Sequence, residues 1–302
     1  MAIKLTNGGI SGLYLGSQAV SAAYLGSSAV YTAISPPDAP TDVAITVEDD
    51  FAPDQLTGLQ LWLDASDAST LYDATTGGSL VAANGGVARW EDKSGNNRHA
   101  TQGTAGSRPA RKTAIQGGLD VLRFDGSDDQ LSVPSSTATF KFLHSTDATV
   151  FVAFKPGTTT DPNVIYPVVD TCNRGFNTPG YTLSFDDRAP SLNNALRVAV
   201  YETSSPYDVI SASTNDKITP NAFSVVTATT KPAAETASRF SARTNGGAAY
   251  GVNAATGTAD TNDSYTDLTI SGRNTGEDVL DGDICEIIIY NSALSDLSLI
   301  HI

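Results

Sequence analysis

The stretch Gly118–Val133, GLDVLRFDGSDDQLSV, decides how the chain folds. Leu119, Val121, Leu122 and Phe124 make an apolar, partly alternating run that reads as a strand. Asp125-Gly126-Ser127-Asp128-Asp129 interrupts it, since glycine frees the backbone and Asp side chains bond their own turn. Leu131 and Val133 then resume a period of two. Two strands with buried faces therefore meet at an acidic corner.

The same grammar extends in both directions. Upstream, Leu59–Asp64 (LQLWLD) gives an apolar strand that ends in turn-forming Asp and Ser. Downstream, the run Thr149–Phe154 is continuously apolar, as in a strand covered on both faces. Tyr181, Leu183 and Phe185 alternate with Thr182 and Ser184, and Leu196, Val198 and Val200 alternate with Arg197 and Ala199. Phe223–Ala228 reads as a further half-buried strand, Arg239–Tyr250 as a hairpin around Asn245-Gly246, and Leu268–Arg273 and Gly282–Asn291 as the last two strands. Long runs of strong helix formers are absent, so helices should be few and short. Many short strands separated by turn clusters predict an all-β, two-sheet antiparallel sandwich of jelly-roll type.

In front of the sandwich lies an internal repeat. Leu13–Val20 (LYLGSQAV) is echoed by Ala23–Val30 (AYLGSSAV), each with Gly-Ser between two β-prone runs. This predicts two β-hairpins in succession, a small meander marginal by itself and suited to docking. A stiff, acidic linker with Pro36, Pro37, Pro40 and Pro53 follows. The expected organisation is a hairpin repeat over 1–34, a linker over 35–55 and a sandwich over 56–302.

Across its 302 residues the chain carries 33 acidic and 18 basic side chains, a net charge of −15, which opposes binding to nucleic acid or anionic lipid. No apolar run approaches a membrane span, and the N-terminus has no continuous apolar core of a secretory signal. The two cysteines, Cys172 and Cys285, form no metal-binding pair, and Cys285 within its apolar strand reads as a buried thiol acting as a small hydrophobe.

Several motifs together carry a family resemblance. They are W-L-D-A-S at Trp62–Ser66, W-x-D-x-S-G-N-x-x-H-A at Trp90–Ala100, the FDGSDD corner, and G-D-I-x-E-I-I-I-Y-N-x-A-L-S at Gly282–Ser295. With these the chain resembles the concanavalin A-like lectin or laminin G-like jelly-roll domains, over about Leu56 to Asp296. The Y-L-G-S repeat resembles short repeats near the N-termini of bacteriophage tail, neck and fibre proteins. The last six residues, LSLIHI, look like a translated sequencing adapter, so the natural chain is expected to diverge after about Asp296.

Catalytic signatures are missing: there is no G-x-S-x-G, no H-E-x-x-H, no P-loop and no dinucleotide fingerprint. The resemblance implies a non-catalytic domain that binds carbohydrate or another surface ligand. Its expected setting is a phage virion, where the repeat would contact other virion proteins and the sandwich a cell-surface glycan or glycoprotein. A homo-oligomer is an expectation from fibre proteins by analogy. The alternatives are a secreted bacterial carbohydrate-binding or adhesion module and, third, a glycan-active enzyme. Asp125, Asp128 and Asp129 put three carboxylates in one turn, a set that suits calcium and equally suits capping of the turn itself. Asp92 with Asn96 and Asn97 carries the same two readings. Trp62 and Trp90 read as core, while Tyr207 (SSPYD) and Tyr265 (NDSYTD) are the loop aromatics placed to cover a sugar.

Overall fold

The computed structural model describes residues 52–158, 164–172, 178–188, 194–201, 209–232, 240–251 and 260–295, with short strands at 14–15, 18–19, 22–25 and 28–32. The chain divides into two compact units, Met1–Phe51 and Ala52–Ile302. In the first, β1 (Tyr14–Leu15) pairs with β2 (Gln18–Ala19), and β3 (Ala22–Leu25) with β4 (Ser28–Thr32). Each copy of the repeat thus contributes one antiparallel pair of strands. No ladder joins β2 to β3 among the described residues, so the copies form two separate ribbons rather than one meander.

The second unit is the two-sheet sandwich. Eight strands make one sheet: β5 (Leu59–Asp64), β9 (Ala110–Gln116), β10 (Leu119–Asp125), β12 (Ala148–Pro156), β17 (Ser224–Thr230), β18 (Phe240–Thr244), β19 (Tyr250–Gly251) and β21 (Asp281–Tyr290). Nine make the other: β6 (Leu71–Tyr72), β7 (Arg89–Trp90), β8 (Ala100–Thr101), β11 (Leu131–Val133), β13 (Ile165–Asp170), β14 (Gly180–Asp186), β15 (Ala195–Tyr201), β16 (Val209–Thr214) and β20 (Leu268–Ile270). All the pairings are antiparallel. One short helix, α1 (Phe142–Ser145), is the only α-helix among the described residues, and no helix there is long and apolar enough to cross a membrane.

Strand β21 organises the first sheet because both of its edges are occupied. β12 runs along one edge, while the other is shared by β10, opposite its first half, and β5, opposite its second. Its period of two sends Ile284, Ile287 and Ile289 into the core with Leu122, Phe124, Val152 and Phe154, against Trp90, Leu131, Tyr181 and Phe185 of the facing sheet. The shift from Ile284 to Ile287 reflects a bulge: Ala153 pairs with Glu286 and Phe154 with Ile284, so Cys285 has no opposite number. Cys285 is therefore half-exposed rather than buried, which corrects the sequence expectation. Burial, then Asp283 and Glu286, pushes its thiol up to about 12, so it is an unreactive side chain.

Trp90 is fully buried as expected, but Trp62 is not a core residue. Along β5, Leu61 and Leu63 point inward, so Trp62 between them points out. It packs on Phe151, Ile288 and Tyr290 in a second apolar cluster on the outer face of the sheet. There its Nε1 donates to Glu286 Oε1 at 2.8 Å, and the Lys93 ammonium sits 4.4 Å from the ring centre.

Candidate functional site

The acidic corner stands where β10 ends and β21 begins. Arg123 is opposite Asp283, which is opposite Lys155 on β12, so this rung is a row of alternating charges across three strands. The Asp283 carboxylate is fully buried and takes a fork from Arg123, at 2.6 and 2.9 Å, and Lys155 Nζ at 2.6 Å. Burial opposes its charge, but the two cations outweigh burial and hold the carboxyl below its ordinary range. Two residues further on, past the Phe124–Gly282 pair, the rim rung joins Asp125 to Asp281, both exposed.

The turn after Asp125 accounts for its own residues. Asp125 Oδ1 accepts from the amides of Ser127 (2.8 Å) and Asp128 (3.3 Å), Asp129 Oδ2 accepts from the Asp125 amide (3.1 Å), and Ser107 Oγ donates to Asp128 Oδ2 (2.9 Å). Capping of the turn is thus realised. One oxygen from each of Asp125, Asp128 and Asp129 still lies within 4.8 Å of the others, so the sequence reading brought together residues that do converge. Asp129 is only 6% exposed, and burial, then the charges of Asp125 and Asp128, pushes its carboxyl up to about 7. Three hard oxygen donors with no ion pair among the described residues are a donor set that fits a divalent cation such as calcium.

Beside the turn is a cleft of about 160 Å³, walled by Asp125, Gly126, Gly157, Thr158, Tyr166 and Asp281. Two glycines keep it open. A Cβ on Gly126 would lie 2.8 Å from Asp281 Cβ, and one on Gly157 would lie 2.6 Å from Asp281 Oδ2. The Gly157 amide meanwhile donates to the Asp281 carbonyl at 2.6 Å, pinning the end of β12 to β21. Tyr166 stacks on core Phe185, with ring centres 6.4 Å apart and planes at 27°. An aromatic ring braced from behind, flanked by carboxylates and a hydroxyl, is suited to a pyranose: the ring covers an apolar face and the oxygens accept from hydroxyls. The volume is below the roughly 300–1,000 Å³ of drug-sized sites, so it admits a single sugar unit rather than a chain.

The other expected sites resolve differently. Asp92 accepts four hydrogen bonds, from the Trp62, Ser94 and Arg98 amides and from Ser94 Oγ, at 2.8–3.0 Å. With all its lone pairs committed it is the hub of a loop and no cation ligand, while Asn96 Nδ2 donates to the Leu59 and Gln60 carbonyls and ties the same loop to β5. The W-x-D-x-S-G-N segment thereby plugs the free edge of β5, which would otherwise expose unpaired backbone groups. Tyr265 is 54% exposed but lines none of the described clefts, and Tyr207 lies outside the described residues. Asp281 and Tyr166 went unread in the sequence. The first was visible only as a residue one step before the G-D-I-x-E motif.

The profile of the concanavalin A-like lectin/glucanases superfamily matches residues 125–299, more than half of the chain, beginning at the corner itself. The chain belongs to this superfamily. No curated protein is recognisably similar to it in sequence. Among solved structures, this superfamily member is similar in fold to Trypanosoma rangeli sialidase in complex with 2,3-difluoro-KDN, at 15% identity, TM-score 0.51, covering 88% of this chain and 34% of that one. It is similar also to the same enzyme with 2,3-difluorosialic acid, at 15% identity, TM-score 0.50, covering 82% and 33%. The chain spans about a third of the length of those sialidases. The CBM40 module of a Ruminococcus gnavus IT-sialidase bound to α2,3-sialyllactose matches at 15% identity and TM-score 0.43, covering 60% of this chain and 94% of the module.

Proposed function

We propose that the superfamily domain is a non-catalytic carbohydrate-binding module that holds one sugar unit in the cleft between Asp125, Asp281 and Tyr166. The observation that carries this reading is that the braced Tyr166 ring lines one cleft together with two rim carboxylates and two glycines. A binding role is favoured over catalysis because Asp125 and Asp281 share one rung of one sheet, whereas glycoside hydrolysis uses carboxyl groups opposed across the scissile bond. Calcium at Asp125, Asp128 and Asp129 would neutralise the crowded turn and fix the cleft's wall. The hairpin repeat supports a setting in a phage virion appendage, with the repeat docking on other virion proteins and the sandwich adhering to a host surface glycan.

A glycan array probed with the full chain, with and without chelator, tests this. The reading expects binding to a restricted set of terminal sugars, lost in Tyr166→Ala and Asp281→Asn and weakened by chelator. Binding that survives both substitutions, or release of reducing ends from a bound glycan, would overturn it.

A further inference from the structure

A second groove, of about 380 Å³, opens at the opposite end of β11 from the acidic corner, and its chemistry is inverted. The side chains that matter are Asn97, Arg98, His99, Thr101, Ser135 and Thr139, and no carboxylate lines it. In a chain of net charge −15 this is an unusual surface. The acids bonded to its lining residues are turned to other duties: Asp92 is saturated by its loop, and Asp267 accepts from the Ser135 and Ser136 amides at 3.0 and 2.6 Å.

The donors are fixed. His99 Nδ1 accepts from the Asp92 amide at 3.0 Å, so the ring's proton is on Nε2, the only nitrogen it has left to offer the groove. Arg98 Nη1 donates to Gln60 O at 2.9 Å and to Gln60 Oε1 at 2.7 Å, which anchors one arm of the guanidinium, and its Cζ stands 5.6 Å from the Phe140 ring centre. The rest of the fork makes no ion pair among the described residues. An anchored, half-buried guanidinium unmatched by a contacting carboxylate, beside an imidazole N–H and a rim of hydroxyls, has the form of a carboxylate receptor.

We infer that this groove binds a sugar bearing a carboxylate, with Arg98 and His99 Nε2–H on the carboxylate and Thr139, Ser135 and Asn97 on the ring hydroxyls. It shares with the preceding proposal only the premise that the partner is a carbohydrate. The two sites would take opposite ends of the charge scale, a neutral unit at the carboxylate-lined corner and an acidic one here, so that the domain could grip a glycan containing both.

The test is amide chemical-shift mapping of the full chain titrated separately with glucuronate and glucose. Glucuronate should move residues 97–101 and 135–139, bind there at least about tenfold more tightly than glucose, and weaken as salt rises. Arg98→Gln should lower glucuronate affinity by about tenfold. Because Arg98 also anchors Gln60, Thr139→Ala is the second variant, its hydroxyl making no hydrogen bond among the described residues, and a several-fold loss is expected there. Equal affinity for the two sugars, shifts confined to residues 125–129, or no shift at the groove would each overturn the inference. Glucose binding at the corner would survive any of those results, so the failure of one site is distinguishable from failure of the other.

Discussion

Replacing Asp92 with alanine should unseat the loop that closes the sandwich edge. The carboxylate is 8% exposed and accepts from Trp62 N and Ser94 N on one oxygen and from Arg98 N and Ser94 Oγ on the other. Water can replace it for Ser94, next to the turn tip, so the loss counts the Trp62 and Arg98 amides. At about 1.5–3 kcal/mol for each bond to a charged acceptor, Asp92→Ala should destabilise by about 3–6 kcal/mol. Asp92→Asn retains one acceptor oxygen and should cost about half as much. Urea unfolding followed by fluorescence is the assay, since Trp62 and Trp90 flank the loop, and the same melts should be unaffected by chelator in their dependence on Asp92. A loss below about 1 kcal/mol for Asp92→Ala would refute the hub, as would a calcium-dependent stabilisation that vanishes in Asp92→Asn.

Three further outcomes follow from the corner. Asp129 has a folded-state pKa of about 7 against an ordinary value near 3.9, so wild-type stability falls as pH rises from about 4 to 7. Asp129→Asn, which keeps an acceptor for the Asp125 amide, should therefore be more stable than wild type at pH 8 in chelator, by up to about 4 kcal/mol, and no more stable at pH 4, as read by thermal melts. Asp283 works the other way: its depressed carboxyl contributes stability above the unfolded value that disappears as pH falls through the folded one. Asp283→Asn should cost about 2–4 kcal/mol at pH 7, and the cost should shrink as pH falls below the ordinary carboxylate range, by denaturant titration at a series of pH values. Gly157→Ala would place a methyl 2.6 Å from Asp281 Oδ2 and should abolish sugar binding at the corner while the melting transition persists, checked by calorimetry beside a binding isotherm.

The strands of the sandwich were legible, though not their order, wherever side-chain period and turn chemistry agreed. Asn245-Gly246 has φ of 52° and 66° and closes the turn between β18 and β19, and the runs at 59–64, 149–154 and 282–291 became β5, β12 and β21 within a residue or two. The pattern misled where burial is two-sided. Thr182 and Ser184 alternate with core residues and read as solvent-facing, yet both are fully buried, their hydroxyls 2.8 Å apart. It misled also where one extra residue shifts the register, as at Cys285, since a bulge is set by the partner strand. Local sequence could show three aspartates in one turn. It could not show that β21 brings Asp281 beside them from more than 150 positions away, or that Tyr166 leans on Phe185, because both depend on which strands become neighbours.

The most direct test of a binding role at the corner is an isothermal titration of a glycan recognised by the full chain, repeated with Asp281→Asn and followed by an assay for reducing ends. The account predicts at least about a tenfold weaker isotherm for the variant and an intact glycan after both titrations. An unchanged isotherm, or cleavage by wild type that the variant lacks, would contradict it.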